Sequence, residues 1–141
     1  MSHFKKSCAI PMYMTNDGWR FVLVKSTSGN WIFPKGSVKK QETLFEAAKR
    51  EAYEESGACC FLHGVRTVEP YGAYTYRVNG KPKCVAVFVI ICHSMTDDYP
   101  EADKRERILV DCKEARRLIK REAVRRILKT IHKHTKKGIV K

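Results

Sequence analysis

The chain has 141 residues, enough for one domain with a single buried core that needs neither disulfides nor a structural metal. Its 28 Lys and Arg against 15 Asp and Glu give a net charge of +13, which favours anionic partners such as polyphosphates, nucleic acid or acidic lipid surfaces. The apolar runs are too short for a signal peptide or a bilayer span, and the six cysteines form no C-x-x-C pair, so a membrane anchor and a zinc site are both disfavoured. The expected setting is the cytoplasm, with the nucleus as a second compartment.

In chain order, the apolar stretch from Ser7 to Thr15 runs into Asn16-Asp17-Gly18, a hairpin signal, before the strand-like WRFVLVK of Trp19 to Lys25. Ser26 to Asn30 reads as a loop and Trp31 to Phe33 as a short strand that Pro34 ends. Thr43 with Glu46 makes a capping box and Gly57 suits a left-handed terminus, so a helix is predicted from about Leu44 to Ser56. Phe45, Ala48 and Ala52 give it a narrow stripe of mostly small residues, able to lie close against a sheet.

Beyond that helix, Ala58 to Val65 and Tyr71 to Val78 are predicted extended, Asn79-Gly80 a two-residue turn and Cys84 to Cys92 a buried strand. Ser94 to Glu106 is polar and reads as a surface loop, with Arg107 to Val110 a last short strand. Asp111 and Glu114 repeat the capping-box pattern and open a helix predicted to run unbroken over about residues 112 to 135. Its apolar stripe is Val124, Ile127, Leu128 and Ile131, with Arg121, Arg125 and Lys129 as a basic ridge beside it. Between Cys112 and Lys141 lie twelve Lys or Arg against two acids, so the rest of the chain carries only +3. Strands alternating with helices predict an α/β fold with a mixed sheet, in one domain spanning residues 1 to 141.

The stretch that carries chemistry is Gly36 to Ala58, GSVKKQETLFEAAKREAYEESGA. Helical spacing puts Glu51, Glu54 and Glu55 on one flank, a concentration of negative charge that a divalent ion such as Mg2+ would neutralise. Gly36, Glu42, Arg50, Glu51, Glu54, Glu55 and Gly57 fall at every fixed position of the pattern G-x5-E-x7-R-E-U-x-E-E-x-G-U, with Ala52 and Ala58 where bulkier aliphatics are usual. That pattern resembles the Nudix box. The resemblance implies an α/β/α sandwich and a Mg2+- or Mn2+-dependent hydrolase, with Glu51, Glu55 and the Gly36 carbonyl as metal ligands and Glu54 as general base. Arg50 and Glu42 are expected to pair and hold loop against helix.

The segments WIFPKG and DKRERILVDCKEARRL, with a hairpin carrying Lys81 and Lys83, are similar to the diphosphoinositol polyphosphate phosphohydrolase branch, whose members also cleave diadenosine polyphosphates. By that likeness Lys5, Lys6, Lys81, Lys83 and either Arg105 or Arg107 would grip substrate phosphates, with Lys25 and Lys35 nearby. A glycine run found in animal members is replaced here by Pro34-Lys35-Gly36-Ser37. Two other readings stand beside this one: an RNA 5′-end hydrolase that uses the basic C-terminal helix to hold RNA, and an inactive binding module, which the full set of glutamates disfavours. Tyr74 and Tyr76 share a sheet face, where packing is expected ahead of base stacking. His132 and His134 point apart on their helix, so they make no metal pair.

Overall fold

A computed structural model describes residues 4–60 and 69–136. Nine strands and three helices are described, in the order β1 (Lys6–Thr15), β2 (Gly18–Lys25), β3 (Trp31–Ile32), β4 (Lys35–Ser37), α1 (Leu44–Ser56), β5 (Ala58–Cys59), β6 (Gly72–Val78), β7 (Lys81–Cys92), β8 (Ser94–Met95), β9 (Arg107–Val110), α2 (Cys112–Leu118) and α3 (Glu122–Lys136). The main sheet runs β3-β2-β1-β7-β6, with β4 beside the first half of β1 and β9 beside β2. Only β1 and β7 pair in parallel among these ladders, which makes the sheet mixed as predicted.

Alternation along β1 sorts the core into two layers. Cys8, Ile10 and Met12 face α2 and α3 in a cluster with Phe33, Tyr74, Ala115, Ile119, Val124, Leu128 and Ile131. Ala9 faces the other way, packing with Ala48, Ala52, Ala58, Ala86 and Phe88 beneath α1. Alanine predominates in that second layer, so α1 rides close on the sheet, and Ala52 and Ala58 at the aliphatic positions of the box are part of the reason. The Thr43 capping box starts α1, and Gly57, in the left-handed conformation at φ 76°, ends it.

The structure corrects the C-terminal element. Instead of one helix over residues 112 to 135, α2 stops at Leu118 and α3 restarts at Glu122, with Ile119 extended between them and its side chain buried in the core. The reason is a jump in phase. Ala115 and Ile119 continue at helical spacing to Glu122 and Arg126, whereas the apolar residues that follow are Val124 and Leu128. One straight helix could not bury both stripes. The second capping box is also only half formed: Asp111 Oδ1 accepts the Glu114 amide, while the Glu114 carboxylate turns to Arg117.

Two further expectations shift. Of the strand expected over residues 58 to 65, the described residues show Ala58–Cys59, paired with Ser94–Met95 inside the segment expected as loop, and residues 61–68 lie outside the described residues. β7 starts at Lys81, three residues earlier than the apolar run suggests. Among the described residues no helix is long and apolar enough to cross a membrane.

A Cβ at position 57 would stand 2.2 Å from the Thr96 carbonyl oxygen, on a backbone that already disfavours L side chains. Gly57→Ala is therefore expected to destabilise the protein by about 2 to 3 kcal/mol, read as a lower urea midpoint at unchanged slope.

Candidate active site

The close ride of α1 presses two acids against the sheet. Glu51 and Glu55 retain 8% and 4% exposure, and both carboxylates hang over β4. A Cβ at Gly36 would lie 1.9 Å from Glu51 Oε2, so the absence of a side chain there is what admits the carboxylate. The next residue back, Lys35, donates its backbone N–H to Glu55 Oε1 at 3.4 Å. Burial, chiefly, and a hydrogen bond shared with Glu51 push the Glu55 carboxyl up to about 8, while the Arg105 charge pulls the other way.

Arg50 organises the remaining acids. Its guanidinium makes five hydrogen bonds: to both carboxylate oxygens of Glu42 at 2.7 and 3.0 Å, to the Ser37 carbonyl at 3.0 Å, to Glu51 at 3.0 Å and to Glu54 at 3.2 Å. The hydrogen bonds from Arg50 hold the Glu42 carboxyl below the usual carboxylate range, and those to Glu42 and Glu51 raise the guanidinium in turn. The expected loop-to-helix pairing of Arg50 with Glu42 is present, and the same cation also reaches two of the three flank glutamates, Glu51 and Glu54. Glu54 is the most open of the three, its side chain 29% exposed.

Hard oxygen donors of this kind suit Mg2+ or Mn2+, and the cradle at Gly36 brings one carboxylate against backbone. The residues present fit such a cation, which Glu51, Glu55 and Gly36 would hold. Among the described residues no three His, Cys, Asp or Glu side chains stand gathered as a ready-made metal cluster, which is consistent with Arg50 drawing Glu51 and Glu54 toward itself.

The expected phosphate-gripping cations divide between different places. Lys6 and Lys35 stand opposite Val85 and Cys8 on their ladders, and Lys83 opposite Tyr76, so these three face the α2 and α3 side and not the acids. Lys81, opposite Val78, shares that face. There Lys35 lies 5.0 Å from the Tyr76 ring, and Arg121 lies 5.3 and 4.9 Å from the rings of Tyr74 and Tyr76. Trp31, Phe33, Tyr74, Lys35, Lys120 and Arg121 line a pocket of about 120 Å3. Arg121 thus leaves the ridge expected with Arg125 and Lys129, because the break before α3 turns it onto the tyrosines.

Of the rest, Lys5 is exposed just before β1, and Lys25 pairs with Glu106 at 3.4 Å beside the Trp31 ring. Arg105 bonds Glu101 at 2.8 Å, and its charge reaches Glu55. Arg107 spends its donors on the carbonyls of Ser56 and Thr96, at 2.6 and 2.5 Å, and on Asp97, tying the end of α1 to the following loop. It is a structural clamp, not a free phosphate contact. Sequence reasoning passed over Glu101, whose amide bonds the Glu54 carbonyl at 2.9 Å and whose charge adds to that around Glu55. No spacing signal marks it, since it arrives from a loop.

The geometry seats one acidic helix on a short strand of an α/β/α fold, with oxygen donors of the kind a divalent cation takes. Residues 5–134 match the NUDIX domain, and the chain belongs to that family. It is 32% identical over 105 residues to "Nudix hydrolase 12, mitochondrial" of Arabidopsis thaliana, across 69% of this chain and 50% of that protein. Over 101 residues it is 32% identical to "Nudix hydrolase 13, mitochondrial" of the same plant, across 64% and 48%. The chain thus spans about half the length of these curated relatives. A solved C. elegans Ap4A hydrolase shares the fold with a TM-score of 0.73 at 19% identity, covering 94% of this chain and 98% of the other.

Because the folded Glu55 carboxyl is raised from 4.5 to about 8, its protonated form contributes stability that is fully present below pH 4.5 and lost as pH rises through 8. Melts in chelator are expected to show the metal-free protein losing stability from about pH 5 to 9, with Glu55→Gln flattening the decline.

Proposed function

We propose that this Nudix protein is a Mg2+- or Mn2+-dependent pyrophosphohydrolase that cleaves phosphoanhydride bonds in diadenosine polyphosphates or diphosphoinositol polyphosphates. The observation that carries the reading is the buried Glu51 and Glu55 pair seated over Gly36 and flanked by Arg50. A bound divalent ion supplies charge neutralisation at phosphate oxygens and an acidified water. Glu54, open to solvent on the same flank, takes the proton of the attacking water. Arg50 fixes Glu54 and Glu51 relative to each other and to the loop through Glu42, so its part is positioning.

Two features bear on the substrate. Lys35 follows Pro34 directly and precedes Gly36, so a cation of the aromatic pocket is covalently adjacent to the acid cradle. The pocket's apolar floor of Trp31, Phe33 and Tyr74 with cations at its mouth suits a flat base carrying phosphate, which supports the dinucleoside polyphosphate over the inositol compound. The same activity is the one named for the C. elegans fold neighbour.

A second reading, hydrolysis at RNA 5′ ends, draws on the groove between α2 and α3, which Lys113, Arg116, Arg117, Arg125 and His132 line together with Asp111 and Glu114. A phosphate backbone held there would bind with a steep salt dependence.

The deciding assay is a substrate panel in Mg2+: diadenosine polyphosphates, an inositol pyrophosphate, nucleoside diphosphate sugars and capped RNA. Glu54→Gln is expected to lower kcat by about 10² to 10⁴ on the true substrate. Equal turnover by the variant removes Glu54 as base, and no product from any compound favours the inactive module. Reversing charge at Arg125 and Lys129 is expected to leave small-substrate turnover intact while weakening RNA binding, measured by filter retention across a salt series.

A further inference from the structure

Among the described residues, the Ser7 hydroxyl is the one buried side-chain oxygen or nitrogen without a hydrogen-bond partner. Ser7 is fully buried, at 0% exposure. Its direction follows from register. On one side Ser7 stands opposite Gly36 of β4, and on the other opposite Ala86 of β7. Ala86 packs beneath α1, and a Cβ at Gly36 would run into the Glu51 carboxylate, so both neighbours look toward α1 and Ser7 must as well.

That direction aims the hydroxyl at the acids. Side chains directly opposite on an antiparallel ladder have Cβ atoms about 5 Å apart, so Ser7 sits one such step from the spot where Glu51 rests on Gly36. Glu55 reaches the same ladder one residue along, at the Lys35 amide. The apolar cluster on that face of the sheet includes Ala9, Ala48, Ala52 and Ala86, which offer no polar side chain. A hydroxyl in an alanine layer costs stability unless something accepts its proton, and the carboxylates are the acceptors at hand.

We propose that Ser7 is a positioning residue for the acid pair: its hydroxyl donates from beneath to the Glu51 carboxylate when Glu51 turns from Arg50 toward a divalent ion. This rests on the assignment of Glu51 and Glu55 as the ion-holding pair. With Glu51 drawn to Arg50, the hydroxyl is left over; with Glu51 engaged below, it orients one ligand.

The test is Mn2+ binding followed by electron paramagnetic resonance on wild type, Ser7→Ala and Glu55→Gln, without substrate, together with melts in chelator. Ser7→Ala is expected to weaken Mn2+ binding about tenfold, as loss of a partner to a metal ligand does, with the metal-free melting temperature unchanged or higher. Mn2+ affinity equal to wild type in Ser7→Ala overturns the proposal. Weaker binding together with a metal-free melting temperature several degrees lower overturns it too, because that marks a packing defect. Wild-type affinity in Glu55→Gln instead overturns the assignment of the ion-holding pair, a failure that can be told apart from that of Ser7.

Discussion

The structure depends on how one guanidinium shares itself among acids. Glu42, Glu51 and Glu54 all bond Arg50, and a fourth carboxylate, Glu55, lies buried one turn along at the Lys35 amide. Buried charge is tolerated only when paired and hydrogen-bonded, and a single arginine fork could not serve so many partners without the geometry fixed from outside. The fixing comes from the alanine layer, which sets the height of α1, and from Gly36, which leaves room for Glu51. Enlarging any of these small residues would move the acids as a group. Sequence composition, close packing and electrostatics are here one requirement seen at three scales.

The opposite face of the sheet answers a different requirement. Two apolar stripes out of phase, Ala115 with Ile119 and Val124 with Leu128, both have to reach the core, and the chain meets this by breaking the helix at Ile119. The break then delivers Arg121 onto Tyr74 and Tyr76 beside Lys35. A packing necessity thereby creates the cation-rimmed aromatic pocket, and Tyr74 serves at once as core residue and pocket floor.

Much of this was legible in the chain. The box residues are read by spacing alone, because a helix converts offsets of three and four into adjacency, and the cap residues Thr43 and Gly57 mark its ends without ambiguity. Other features were legible but unread: the phase jump after Ile119 is written in the order of apolar residues, and the pairing of Lys83 with Tyr76 follows from the Asn79-Gly80 turn. Beyond reach were β4, three residues with no strand signal that exist because β1 offers them an edge, and Glu101 and Arg107, whose positions depend on how a loop packs against the end of α1.

Lys35 and Gly36 are neighbours in sequence, yet on a pleated strand their outward directions are opposed, one toward the tyrosines and the other toward the acids. The aromatic pocket and the acids therefore lie on opposite sides of one short strand, separated by about the thickness of a backbone. Under the proposed function, a single substrate touching both would have to bend around that strand. A compact rigid ring would not make that bend, whereas a chain of phosphates with turning P–O–P joints would, so on that reading the reach and suppleness of the bridge become selection criteria in their own right.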